Sequence, residues 1–106
     1  MIRKKVLIVD DDPNLIKSLG WVLNKEGYDF DAAQDGEEAL VKAKETDPGV
    51  ILLDIMMPRK SGYEVCAEVK NTPGMEDINI VILSAKSQEI DREKGLAAGA
   101  DEYITQ

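Results

Sequence analysis

Short apolar runs alternate with amphipathic segments along the whole sequence, and this alternation is the feature that most constrains the fold. The runs at 6–9 and 50–53 are apolar throughout, which is typical of parallel strands that are buried on both faces. The same pattern predicts three further strands, over 28–33, 78–83 and 102–105. Each strand except the last is followed by a segment with helical spacing.

Four helices are predicted between these strands: the first begins at Pro13 and is ended by Gly27, the second follows Asp35 and closes near 47–49, and the others run over about 63–70 and 88–98. Asp12 followed by Pro13 is a typical helix start, because an aspartate caps the free amides and proline suits the first turn. Asp35 is expected to cap the second helix in the same way, and Gly27 to end the first.

Five strands interleaved with four helices indicate βαβ units, a parallel sheet and right-handed crossovers. Two strand orders are common in such doubly wound α/β folds. The dinucleotide-binding order needs a glycine-rich turn after the first strand, but the turn at 10–13 is acidic and has no glycine. We therefore predict the flavodoxin-like order 2-1-3-4-5, in which the first and third strands are neighbours.

That order brings polar strand ends together at one edge of the sheet. Asp10 and Asp11 end the first strand, Asp54 ends the third, and Ser84 ends the fourth. Clustered carboxylates repel one another unless a proton or a cation lies among them. Oxygen ligands with no histidine nearby suit Mg²⁺, with Mn²⁺ as the alternative, and Ser84 is placed to donate to a phosphoryl oxygen.

The formal charge of −8 and the absence of histidine argue against direct binding to nucleic acid or to an anionic membrane, which require clustered basic residues. Cys66 is the only cysteine; it excludes an internal disulfide and is expected to be a small core residue. No apolar run approaches membrane-spanning length, so a cytoplasmic, soluble domain over residues 1–106 is expected.

The sequence resembles the receiver domain of two-component response regulators, including the chemotaxis regulators. The matching segments, in family order, are VLIVDDDP at 6–13, LDIMMP at 53–58 followed by Ser61-Gly62, VILSA at 81–85 and AAGADEYI at 97–104. Any one of these segments alone is a weak signal, but together they span nearly the whole chain.

The resemblance implies that Asp54 accepts a phosphoryl group from a sensor histidine kinase, a phosphotransfer protein or a small phosphodonor. It further implies that Mg²⁺ is bound by Asp11, Asp54 and the backbone carbonyl of Met56, with Asp10 acting through a metal-bound water. Ser84 and the amide of Ala85 would hold the phosphoryl oxygens. Tyr103 would be the switch residue, turning inward when Ser84 moves. Such a domain is a self-modifying switch rather than a turnover enzyme, and it controls an output domain or partner protein.

Two features depart from the family pattern. Gln106 stands where the family has a lysine, and the fifth helix, which would cover strands four and five beside the first helix, is missing. The uncovered face is expected to remain exposed, or to pack against a second copy or an appended domain.

Two interpretations from different classes therefore remain open. The first is a phosphorylation-dependent switch, which Asp10, Asp11, Asp54 and Ser84 favour. The second is a pseudo-receiver, an interaction module that phosphate does not switch, which Gln106 favours. A hydrolase acting on exogenous phosphate esters is disfavoured, because Met56 stands where a second acidic group would be needed.

Overall fold

The computed structural model describes residues 5–55, 60–84 and 89–105. The described strands and helices, in chain order, are β1 (Lys5–Val9), α1 (Pro13–Lys25), β2 (Asp29–Ala33), α2 (Gly36–Thr46), β3 (Val50–Asp54), α3 (Gly62–Lys70), β4 (Asn79–Ser84), α4 (Glu89–Ala97) and β5 (Glu102–Thr105). The predicted strands and helices are all present, with ends that differ from the prediction by one or two residues.

The strands form one parallel sheet in the order β2-β1-β3-β4-β5, which confirms the predicted flavodoxin-like fold. The register sets the polar strand ends side by side. Val9 of β1 pairs with Leu53 of β3, and the residues that follow these two partners are Asp10 and Asp54. Asp54 in turn pairs with Leu83 of β4, and Ser84 lies one residue further along that strand.

Local hydrogen bonds explain where the helices begin. The Asp12 side chain accepts from the amide of Asn14 at 2.9 Å, which caps α1 as predicted. Helix α3 begins at Gly62, one residue before the predicted start, because Ser61 and Glu64 form a reciprocal capping box. Such a box satisfies two amides that the first turn leaves without a partner inside the helix.

One face of the sheet carries the main hydrophobic core. Leu7, Ile51 and Ile82, on the neighbouring strands β1, β3 and β4, are fully buried there with Ala43 of α2 and Cys66 of α3. The predicted core position of Cys66 is therefore confirmed. Side chains alternate between faces along a strand, so the neighbouring residues of each strand lie on the opposite face.

The opposite face is covered by α1 over β1 and β2 but not over β4 and β5. Val6 and Ile8 are buried there, and Gly20 of α1 lies directly against the Phe30 ring of β2. Val81 and Leu83 are only half-buried, and Ile104 is 46% exposed. This is the incompletely covered face that the sequence predicts.

A lysine and an aspartate stabilise the edge of the sheet where the strands begin, which is opposite the acidic cluster. The Lys70 ammonium donates to the carbonyl of Ile78 at 2.7 Å and to Asp101 Oδ2 at 2.9 Å. Asp101 Oδ2 also accepts from the Ile80 amide at 2.8 Å. The turn before β5 is thereby joined to the end of α3 and to the start of β4.

Among the helices of the described residues, none is long and apolar enough to span a membrane.

Candidate metal and phosphoacceptor site

Three carboxylates meet at the carboxyl edge of the sheet. Asp10, Asp11 and Asp54 each offer an oxygen atom within 4.8 Å of the other two. The two neighbouring strands β1 and β3 supply them, at the point where the connections to the sheet reverse direction. Open α/β sheets bind their ligands at such a point.

The three carboxylates of the cluster differ in their exposure to solvent. Asp10 is 8% exposed, Asp54 is half-buried, and Asp11 is exposed. Asp10 Oδ1 accepts from the Asp12 amide at 2.9 Å, which fixes the side chain over the start of α1. The site is therefore open on the side of Asp11 and closed beneath Asp10.

Burial raises the pKa of the Asp10 carboxyl above its ordinary value. The hydrogen bond from the Asp12 amide opposes this effect, while the nearby carboxylates of Asp54, Asp11 and Asp12 add to it. Like charges at short range disfavour a further ionised group. A divalent cation among these oxygens would relieve that repulsion, and hard oxygen donors are the ligands that Mg²⁺ prefers. The donor set therefore fits such an ion.

Ser84 and Tyr103 lie beside this cluster on the core face of the sheet. Ser84 is 3% exposed and ends β4. Tyr103 is 6% exposed, and its partner across the sheet is Ile82, two residues before Ser84. The other predicted site residues, Met56, Ala85 and Gln106, lie outside the described residues.

Gly62 is a site residue that the sequence analysis did not single out. A Cβ atom at this position would lie 2.5 Å from the Asp54 carbonyl oxygen and 2.8 Å from the Ile55 Cα. The Gly62 amide donates to the Ile55 carbonyl at 2.9 Å. Only glycine allows α3 to begin this close to the backbone of Asp54. The Ser61-Gly62 pair in the motif was the one available signal.

A second unpredicted feature is a pair of tyrosines behind the site. The Tyr63 hydroxyl of α3 donates to the Asp91 carbonyl of α4 at 3.2 Å, and Tyr103 of β5 is a close neighbour of the Tyr63 phenol. Burial, followed by the neighbouring Tyr103 and Asp91, raises the pKa of the Tyr63 phenol. Nothing in local sequence spacing links positions 63 and 103, so only the fold brings them together.

The strand order and the acidic edge together define a doubly wound α/β domain with a carboxylate cluster at its switch point. The family model for the response regulator receiver domain matches residues 6–106, and the chain belongs to that family. The family assignment made from the sequence motifs is thus confirmed.

Individual relatives agree with this assignment. The alkaline phosphatase synthesis transcriptional regulatory protein PhoP of Bacillus subtilis (strain 168) is 42% identical over 104 residues, which make up 98% of this chain. Those residues are 42% of the length of that relative, so the chain spans less than half of it.

Solved structures show the same fold. The chemotaxis response regulator CheY4 of Vibrio cholerae superposes with a TM-score of 0.92 at 30% identity, over 99% of this chain and 88% of that one. The response regulator TrrA of Thermotoga maritima, solved in complex with Mg²⁺-BeF, superposes with a TM-score of 0.85 at 39% identity. The superposition covers 97% of this chain and 86% of that one.

Proposed function

We propose that this chain is a phosphoacceptor switch of a two-component system, with Asp54 as the residue that takes the phosphoryl group. Receiver domains are signalling switches rather than turnover enzymes. The observation that supports the finer assignment is the meeting of Asp10, Asp11 and Asp54 within 4.8 Å at the carboxyl edge of the sheet. The donor would be a sensor histidine kinase or a phosphotransfer protein in the cytoplasm, and the recipient of the signal an output domain or partner protein.

Asp54 is the best placed of the three for nucleophilic attack. It ends the central strand β3 and is half-buried, whereas Asp10 is enclosed and hydrogen-bonded to the Asp12 amide. In the transfer, an Asp54 carboxylate oxygen forms a bond to phosphorus while the bond from phosphorus to the donor nitrogen breaks. The electron pair of that bond stays on the donor imidazole. A carboxylate is a weak nucleophile, so positioning and charge neutralisation must supply the catalysis.

Mg²⁺ is the cofactor that this donor set fits, with Mn²⁺ as the alternative. Receiver domains bind Mg²⁺ at an acidic cluster, and the Thermotoga structure is a complex with Mg²⁺-BeF. Asp11 and Asp54 would hold the ion with the Met56 carbonyl, and Asp10 would act through a bound water. The ion supplies positive charge for the phosphoryl oxygens. The Ser84 hydroxyl and the Ala85 amide would donate hydrogen bonds to the same oxygens.

The alternative is a pseudo-receiver that phosphate does not switch, and the residue that favours it is Gln106. An amide donates a neutral hydrogen bond, about half the strength of a charge-assisted contact from a lysine. If Gln106 limits the reaction, Gln106→Lys should raise the phosphorylation rate. An unchanged rate would mean that the site tolerates the loss of this charge.

Beryllofluoride, a phosphoryl analogue, separates the two functions. With Mg²⁺ present, it should shift the backbone amide resonances around Asp54 and Ser84 to saturation. Asp11→Asn should abolish this response because it removes a proposed ligand. The matched control is Asp12→Asn, since Asp12 lies outside the cluster and asparagine is an equally good helix cap. A wild-type spectrum that does not respond, or an equal loss in both variants, would contradict the proposal.

A further inference from the structure

The start of α2 lies against segment 60–62, the short stretch that leads into α3. A Cβ atom at Gly36, the first residue of α2, would lie 2.4 Å from Lys60 Cβ and 3.0 Å from the Lys60 carbonyl oxygen. It would also lie 2.9 Å from Val65 Cγ2. Close-packed atoms cannot approach to such distances unless one of them is displaced. The lack of a side chain at residue 36 is therefore what allows α2 to contact Lys60.

The other end of segment 60–62 contacts the proposed phosphoacceptor. A Cβ atom at Gly62 would lie 2.5 Å from the Asp54 carbonyl oxygen, and the Gly62 amide donates to the Ile55 carbonyl at 2.9 Å. The segment thus connects Gly36 to the backbone of Asp54, with a close contact at each end. Because packed interiors transmit a displacement to their neighbours, a side chain at residue 36 would also move residue 54.

Hydrogen bonds hold the start of α2 in place. Asp35 Oδ1 accepts from the Glu38 amide at 2.8 Å, and Glu38 Oε1 accepts from the Gln34 amide at 2.7 Å. The two bonds close the turn around Gly36, which is itself buried. The start of α2 is therefore too well anchored to move aside for a side chain, and Lys60 must move instead.

Lys60 is also held by α3. Its ammonium donates to Glu68 Oε1 at 2.7 Å, and Glu68 lies on the helix that Gly62 begins. This ion pair is partly exposed, so it contributes little to stability by itself. It does limit the directions in which the Lys60 side chain can turn away from α2.

We propose that Gly36 is a positioning residue for the metal and phosphoacceptor site, because the start of α2 holds segment 60–62 and this segment holds the backbone of Asp54. The inference rests on the proposed function, in which Asp54 is a metal ligand and the phosphoacceptor. It brings α2 into the site, although α2 supplies none of the clustered carboxylates. Mg²⁺ tolerates little departure from octahedral geometry, so a displaced Asp54 should weaken its binding.

The test adds a methyl group at residue 36 and asks whether removal of Lys60 Cβ compensates for it. Gly36→Ala is made in the wild type, in Lys60→Ala and in Lys60→Gly. Both substitutions of Lys60 remove the ion pair with Glu68, but only glycine also removes the Cβ atom that residue 36 would meet at 2.4 Å. Mg²⁺ is titrated into each variant while the amide resonances of Asp54 and Ile55 are followed.

Gly36→Ala should weaken Mg²⁺ binding by about fivefold or more in the wild type and in Lys60→Ala, but by less than about twofold in Lys60→Gly. Before Mg²⁺ is added, the same substitution should already shift the Asp54 and Ile55 amide resonances in the first two backgrounds. The shift should be clearly smaller in Lys60→Gly, because the closest contact of the added methyl group is then absent.

Gly20→Ala is the matched control for overpacking in general. A Cβ atom at Gly20 would lie 2.3 Å from Phe30 Cζ, at the contact between α1 and β2. This variant should lower the free energy of unfolding but leave the Mg²⁺ dissociation constant within about twofold of the wild-type value. A purely structural role of Gly36 would give the same result for Gly36→Ala.

Three results would overturn the inference: an unchanged Mg²⁺ dissociation constant in Gly36→Ala, an equal loss of affinity in Gly20→Ala, or an equal loss in the Lys60→Ala and Lys60→Gly backgrounds. If Gly36→Ala does not fold, Lys60→Gly should restore folding and Mg²⁺ binding together, whereas Lys60→Ala should restore neither; any other pattern would overturn the inference.

A wild-type protein that does not bind Mg²⁺ would overturn the proposed function instead. The amide resonances of Asp54 and Ile55 in the metal-free variants would still show whether residue 36 acts on the backbone of Asp54.

Discussion

Gly62 lies so close to Asp54 that a Cβ atom at residue 62 would sit 2.5 Å from the Asp54 carbonyl oxygen. The first residue of α3 is thus packed against the backbone of the proposed phosphoacceptor and limits its movement. Backbone position matters here because the attacking oxygen must lie in line with the bond that breaks, and small displacements at a reacting atom are costly. Gly62 is thus a positioning residue for the proposed reaction.

We expect Gly62→Ala to slow phosphorylation of Asp54 by at least tenfold, because the added methyl group must push the Asp54–Ile55 backbone aside. Overpacking of this kind also destabilises the fold by about 1–3 kcal/mol. The measurement is the rate of labelling by acetyl phosphate, alongside the free energy of unfolding.

Gly27→Ala is the matched control for general destabilisation. Gly27 has a φ of +88° and nothing within 4 Å of a built Cβ, so alanine strains the backbone there without touching the site. An equal loss of rate in both variants would show that Gly62 acts only through stability.

The Cys66 thiol should resist ionisation and chemical modification. Burial raises the pKa of Cys66 to about 11 from an ordinary 9.0, and the side chain is fully buried. Because the pKa is raised in the folded state, its contribution to stability is complete below pH 9 and is lost as the pH rises towards 11. Cys66→Ala should lessen this alkaline loss, although removing the side chain lowers stability at neutral pH.

Thiol labelling checks the same point directly, since this is the only cysteine in the sequence. At pH 8, iodoacetamide should modify the native chain on the order of a hundredfold more slowly than the urea-unfolded chain, because reaction requires opening of the core. Equal rates would contradict the burial of Cys66.

The contact between Lys70 and Asp101 should make stability fall in acid. Burial raises the pKa of Asp101, but the Ile80 amide and the Lys70 ammonium outweigh this effect and hold that pKa below its ordinary value of 3.8. The contribution is therefore present above pH 3.8 and is lost as the pH falls through the lower folded pKa. The carboxylate is partly exposed, so solvent screening limits its contribution to about 1 kcal/mol.

Asp101→Asn should remove that contribution at pH 7 and flatten the acid limb of the stability curve, as measured by urea unfolding between pH 2.5 and pH 7. Asp77→Asn is the control, because Asp77 is an exposed carboxylate in the preceding loop. An acid limb of the same slope in Asp101→Asn and in the wild type would contradict the role of this contact.

The uncovered sheet face should limit the stability of the 106-residue chain on its own. Full burial of a side chain such as Ile104 would contribute roughly 1.5–3 kcal/mol, yet Ile104 is 46% exposed and Val81 and Leu83 are half-buried. We expect either a melting temperature below about 45 °C or self-association through this face, as followed by thermal melting and sedimentation.

Ile104→Asp should abolish any such association, whereas Ile90→Asp should not, because Ile90 lies on α4 at the opposite side of the sheet. A monomer at high concentration that melts between about 45 and 65 °C, as ordinary domains do, would show that α1 already covers enough of the face.

The sequence predicted the strand order and the acidic edge well because both follow from regular patterns. Fully apolar runs mark the buried strands, and in a parallel sheet their polar ends must meet at one edge. The Tyr63–Tyr103 pair was beyond such reasoning, since forty residues separate its members and the contact depends on the helix positions. The closeness of Gly62 to Asp54 depends on the same packing. The start of α3 was missed because the Ser61–Glu64 capping box was not recognised.

The most direct test of the account is to treat the chain with acetyl phosphate and Mg²⁺ and to locate the added phosphoryl group by mass spectrometry. The account predicts one alkali- and hydroxylamine-labile phosphoryl group on Asp54 in the wild type, as expected for an acyl phosphate, and none in Asp54→Asn, because the neutral amide cannot attack phosphorus. Undiminished labelling of Asp54→Asn, or no labelling of the wild type, would contradict the account.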